Sequence, residues 1–206
     1  MSGFAEIETY RFDVPPEWYA LDLTDAVSPR QVAQDILDEV GHADDVNVPL
    51  FRDDVTGLVE RLRLESDGLT SAAVLVRTEG GLRVGALVVH AVRDLDEGDT
   101  PESYEQFARQ ALAAGQPGQQ SLAVQSWQLE CAAGPAVGVV HVLSAREPGE
   151  ADAWVEERAV YAIFVEGTRQ LVQFTFTTAD FGTFEDMPSE TWSIASTVSV
   201  EVKENA

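Results

Sequence analysis

From residue 121 onward, apolar and polar positions alternate, break at glycine, and alternate again. Segments 121–132 and 136–146 flank Gly134-Pro135, and segments 154–166 and 169–178 flank Gly167-Thr168. The pattern predicts four consecutive strands joined as antiparallel hairpins, with a turn at 147–150. In the last of them Val172, Phe174 and Phe176 take one face, and Gln173, Thr175 and Thr177 take the other. After Met187-Pro188 the period lengthens, and 188–198 predicts a closing helix that packs through Trp192, Ile194 and Ala195.

The first half reads as strands and helices in turn. Segment 7–13 alternates, Val14-Pro15-Pro16 breaks it, and 17–23 supplies a second extended piece. Ser28-Pro29 is a helix start, with serine as N-cap, proline in the first turn, and Gln31 placed for a capping box. Val32, Ile36, Leu37 and Val40 share one face, and Gly41 ends the helix. A polar acidic loop, 42–48, precedes a second helical stripe of Phe51, Val55, Leu58, Val59 and Leu62, closed by Asp67-Gly68. Together they predict a helical hairpin insertion over about 29–66. Segments 69–78 and 82–92 predict strands around a two-residue turn at Gly80-Gly81. Both of their faces are apolar in places, which predicts layers on both sides of the sheet. Thr100-Pro101 starts a third helix, with Glu102 and Glu105 near its positive end and a stripe of Tyr104, Phe107, Ala108, Ala111 and Leu112. A linker at 115–120 follows. The whole predicts a single α+β domain over 1–206, an α/β/α sandwich whose antiparallel sheet has about six strands covered by helices. Only 1–5 and 203–206 read as loose ends.

Charge changes the picture most. Thirty-six acids face 13 bases, for a net charge of −23, and Lys203 is the one lysine. Such a chain is repelled by nucleic acid and by anionic lipid. Its acidity is either a solvated surface or a means of steering toward a basic partner. Lysine scarcity beside abundant Ala, Val, Arg and Gly fits a GC-rich genome. The N-terminus lacks the basic start and apolar centre of a signal peptide, and no apolar run reaches the ~18 residues of a membrane span. The expectation is a cytoplasmic protein.

Catalytic chemistry finds little support. The histidines are His42, His90 and His141, the last two inside strand patterns, and no zinc-binding spacing is present. There is no G-x-S-x-G turn, and Ser144 and His141 point to opposite faces of one strand. Cys131 is the single cysteine, so no internal disulfide forms, and it reads as a buried inert thiol. The string DLDEGDTPE at 94–102 is dense in hard oxygen ligands, but its glycine is one position early for an EF-hand. A solvated loop leading into a helix cap explains it. No phosphate-binding loop exists beside Gly80-Gly81 or 115–118. No catalytic residue, cofactor or metal is assigned. Trp18, Trp154 and Trp192 read as core closures, with an interface anchor as the alternative.

The segments LECAAGPAVGVVHVLSA at 129–145, VYAIFVEGTRQLVQFTFTT at 160–178 and TWSIASTVSV at 191–200 resemble the closing half of the PsbP-like superfamily. YRFDVPPEWYALDL at 10–23 is similar to its opening strand pair. The nearest look-alikes are actinobacterial members of unknown role, including mycobacterial lipoprotein relatives, from which this chain departs by lacking a lipidation cysteine. The superfamily includes a photosystem II subunit, a Ran-binding import factor and secretion chaperones. The resemblance therefore implies a non-catalytic protein-binding or accessory module, a secretion-associated chaperone or adaptor for a basic client, and no shared site motif to carry over. Two alternatives stand beside it. One is a small-molecule binder or enzyme with a pocket between sheet and helices beside Gln173, Thr175 and Thr177. The other is an immunity protein masking a basic toxin.

Overall fold

The computed structural model describes residues 4–65, 70–114, 119–145 and 153–203. The turns expected at 67–68 and 147–150 and most of the 115–120 linker lie outside them. In chain order the elements are β1 (Glu6–Arg11), β2 (Trp18–Leu21), α1 (Pro29–Val40), α2 (Val48–Glu65), β3 (Ser71–Arg77), β4 (Arg83–Asp94), α3 (Pro101–Ala114), β5 (Gln119–Cys131), β6 (Gly134–Ala145), β7 (Trp154–Phe164), β8 (Gln170–Thr178), α4 (Met187–Ala195) and β9 (Ser199–Lys203). The class is α+β. The larger sheet is antiparallel and has seven strands, one more than expected, in the order β2-β3-β4-β8-β7-β6-β5. β1 and β9 form a separate two-stranded sheet. The chain divides into two compact units, Pro15–Val89 and the remainder.

In the Pro15–Val89 unit α1 packs on α2, and the core joins Ala33 and Ile36 of α1 to Phe51, Val55 and Val59 of α2 and Val74 of β3. Ser28 caps α1 by accepting the Gln31 amide N–H at 3.2 Å. The Gln31 side chain donates instead to Asp35, so the reciprocal half of the expected capping box is replaced by an i,i+4 pair. Gly41 closes the helix at φ 74°, as its position implies. The β3–β4 turn is longer than two residues: β3 stops at Arg77 and β4 starts at Arg83. Gly81, at φ 111°, passes so close to Asn47 that a Cβ there would collide with its amide. Asp45 stitches this turn to the α1–α2 loop. Its carboxylate accepts the N–H of Asn47 at 2.8 Å and of Leu82 at 3.1 Å, which holds it below the usual carboxylate range.

In the other unit, β5 to β8 form a meander with near-continuous register. Successive residues of β7 face opposite ways. Ala159, Tyr161 and Ile163 lie opposite Phe176, Phe174 and Val172 of β8, while Ala162 and Phe164 lie opposite Gln173 and Leu171. Phe164 meets Tyr104 of α3, and Tyr161 meets Trp192 of α4, so α3 and α4 cover opposite faces. Tyr161 donates or shares its hydroxyl proton with the Pro188 carbonyl at 2.7 Å and Thr191 Oγ1 at 2.9 Å, and burial pushes its pKa up to about 12. Trp127 of β5 lies across Gly138 of β6, where a Cβ would come within 2.9 Å of the indole nitrogen. α4 begins with a capping box: Asp186 accepts from Ser189, and Glu190 accepts the N–H groups of Glu185 and Asp186.

The C-terminus departs from expectation. The helix expected to reach Val198 stops at Ala195, and Ser199–Lys203 becomes β9, paired antiparallel with β1. Lys203, expected to be loose, is therefore in a strand. Five alternating residues carry too short a pattern to read alone, and their partner lies at the opposite end of the chain.

Two stability outcomes follow from these contacts. Phe51→Ala removes a fully buried ring and is expected to cost about 3–5 kcal/mol. Tyr161→Phe leaves the buried acceptors at Pro188 and Thr191 short of a partner and is expected to cost about 1–2 kcal/mol. Urea unfolding measures both as shifts in midpoint at unchanged slope.

Candidate functional site

α3 is seated on the outer strands β5 and β6 by a narrow seam. Tyr104, Ala108 and Leu112, four residues apart, pack against Val137, Val139, Ala162 and Phe164. The wider stripe read from the sequence included Phe107 and Ala111, but both are exposed, Phe107 at 69%. A helix resting on the end of a sheet has apolar neighbours along one line only. Thr100 and Ser103 cap it reciprocally through side chain and amide. The flank of α3 toward β5 carries Glu102, Glu105, Gln106, Arg109, Gln110 and Ala113, which with Val124 line a groove of about 590 Å³. Glu105 crosses to β5, accepting from Ser126 Oγ at 2.6 Å. A second hollow of about 410 Å³ shares Glu102 and continues past Gln128 and Glu130 to the β5–β6 turn. Phe107 is two residues from Glu105, about 200° around the helix, and lies on the other flank.

β5 is the last strand of the sheet, and among the described residues no strand pairs with its outer edge. It is 13 residues long with one charge, Glu130, and one bulge between Ser121 and Ala123. The opposite edge strand, β2, has four residues. Long, flat, uncharged edges template further strands, and proteins ordinarily shorten or charge them.

Two histidines gain partners that sequence spacing does not reveal. His90 of β4 sits among Tyr10, Phe12 and Phe174, with its Nδ1 at 2.7 Å from the Tyr10 hydroxyl and its ring edge-on to Phe12 at 4.7 Å. Burial lowers the His90 pKa to about 4 and pushes Tyr10 up to about 12, so both are neutral near pH 7. The neutral imidazole can accept the phenol proton, and the contact fastens β1 to β4.

His141 is 4% exposed, and its Nε2 lies 3.2 Å from Ser121 Oγ. Its Nδ1 is buried without a hydrogen-bond partner. Burial first, then the nearby Arg158, lowers its pKa, and Glu156 opposes them. Arg158 and Glu156 form an ion pair with each other. Ser144 and His141 occupy opposite faces of β6, as the alternation implies; it is Ser121, across the β5–β6 ladder, that meets the imidazole. Neither residue lines the α3–β5 groove, and Nδ1 lacks the carboxylate that would orient a catalytic base.

The remaining candidates are dispersed. In the 94–102 loop Asp94 accepts from Gln170, Asp99 accepts the Asp96 N–H, and Arg169 lines the same hollow as Asp96 and Asp99. These acids thus shape a turn and a helix entry. Among the described residues no group of three or more His, Cys, Asp or Glu is placed to hold a metal ion. Cys131 is half-buried, with Sγ 3.6 Å from the Gly134 carbonyl. His42 is exposed on the α1–α2 loop. Trp18 is buried, Trp192 is half-buried against Tyr161, and Trp154 is 39% exposed. Gln173 faces the Tyr104 hydroxyl at 3.5 Å and Thr175 at 3.4 Å, so part of the polar row of β8 is engaged within the unit.

No protein-family model matches this chain, and no curated protein matches it. Among the described residues no helix is long and apolar enough to cross a membrane.

The His90 pocket gives a pH signature. The folded pKa lies near 4 against an ordinary 6.5, so the unfolded chain binds the proton first as pH falls. The contribution is complete above pH 6.5 and is lost as pH drops through about 4, with a ceiling on the order of 3 kcal/mol. His90→Gln is expected to flatten the wild-type loss of unfolding free energy between pH 6.5 and 4, measured by urea titration at each pH. Parallel curves for the two proteins would contradict the assignment.

Proposed function

We propose that this chain is a non-catalytic binding module, an accessory factor or adaptor whose client is a protein with a basic surface. The observation that carries the reading is the excess of 36 acids over 13 bases, with carboxylates lining both the α3–β5 groove and the hollow beside it. A field of this sign speeds encounter with a basic protein and discourages nucleic acid and anionic membrane. The scattering of the candidate catalytic groups supports a binding role over a chemical one. The resemblance of its segments to PsbP-like proteins supports it too, since the known roles of that superfamily are binding roles. In this reading α1 and α2 form a helical hairpin added to a PsbP-like frame, and the protein works in the cytoplasm, with secretion-associated chaperoning as the specific setting.

The test is crosslinking capture from native lysate of the source organism at low and high salt. The reading expects basic proteins to be retained at low salt and lost at high salt, because surface charges beyond a Debye length are screened. Retention of nothing under either condition would contradict it.

A further inference from the structure

We propose that β5 and α3 form a strand-addition site: an extended segment of the basic client pairs with the outer edge of β5 and lies in the groove beneath the flank of α3. The inference rests on the basic-client reading above and specifies where and how that client docks.

Three observations converge on it. The first is the edge itself. From Ala123 to Leu129 β5 runs seven residues without a bulge, a proline or a charge, on a chain of net charge −23. That is the composition natural edges avoid unless something pairs with them. The second is the helix beside it. An added strand would sit about 4.8 Å beyond β5, alongside the flank of α3 that lines the groove with Val124. α3 has no fully buried residue and turns Gln106, Arg109, Gln110 and Ala113 toward this space. Strand-adding domains use such an arrangement: main-chain bonds to the edge supply affinity, and a groove on one face reads alternate side chains.

The third observation is charge. Glu102 belongs to both hollows along the groove, Glu105 flanks it, and Glu130 stands at its far end, against the single base Arg109. A Lys or Arg on the groove-facing side of the added strand meets Glu102 and Glu105, and a small apolar residue meets Ala113 and Val124. The same charge argues against a second copy of this chain as the occupant, since two bodies of −23 repel before their edges meet.

The experiment uses the full chain and a defined probe, an acetylated ten-residue peptide alternating valine with lysine and threonine. A matched peptide N-methylated on alternate amides, which cannot complete a ladder, is the control. Fluorescence anisotropy gives affinity at low salt, and NMR of the labelled protein looks for intermolecular backbone contacts to β5. The expected result is backbone contacts confined to 123–129, at least tenfold weaker binding of the methylated peptide, and three- to tenfold weaker binding to Glu102→Gln. Equal binding of the two peptides, or contacts elsewhere on the acidic surface, overturns strand addition while leaving the basic-client reading standing. Absence of binding by either peptide at low salt counts against both. Sedimentation showing a dimer with β5 at its interface overturns the proposal in favour of a second copy.

Discussion

The feature on which the rest depends is the two-sided burial of the β6–β7–β8 ladder. In antiparallel pairing every residue faces its partner across one side of the sheet, so a register error of one exchanges core for solvent. Here Tyr161, Phe174 and Phe176 must share one face, where Tyr161 meets Trp192 of α4 and Phe174 meets Phe12, while Val137, Ala162 and Leu171 must face the side of α3. That requirement fixes the pairing, and the pairing fixes which helix covers which face. It also sets a limit. Two-sided cover fades toward β5, where the residues are half-buried or exposed and the helix above touches along a single seam.

The distribution of polar groups obeys the same logic. No acid is buried among the described residues: acids lie on loops, helix flanks and caps, and those in strands are exposed, such as Glu8, Glu130 and Glu201, or half-buried. Asp45, Asp186 and Glu190 satisfy backbone N–H groups that would otherwise be orphaned. The imidazoles of His90 and His141 are shielded from water and held below their ordinary pKa, and Tyr10 and Tyr161 are held above theirs. What is buried is neutral, and what is charged is left to solvent and to partners.

Local signals in the sequence were sufficient for most elements. Ser28-Pro29 and Thr100-Pro101 start helices where capping chemistry places them, and Gly134 and Gly167 turn the hairpins at positive φ. What the sequence hid is non-local. β9 has five residues and pairs with the other end of the chain. The exposure of Phe107 depends on α3 lying over the last strands of the sheet rather than its middle, which no helical stripe encodes. Ser121 and His141 meet only through the β5–β6 register, and a bulge beside Ser121 shifts that register. The groove was illegible for the same reason. Its acids read as ordinary solvated residues until the helix and the strand edge are placed side by side.

The most direct measurement is residue-resolved amide hydrogen exchange on the unliganded protein. If the ladder is held from its centre and β5 is an open edge, β6, β7 and β8 exchange at the slow rate set by global unfolding, while alternate amides of β5 exchange near the rate of open chain. Protection running uniformly along β5, equal to that of β6, would show the edge to be covered and would contradict the account.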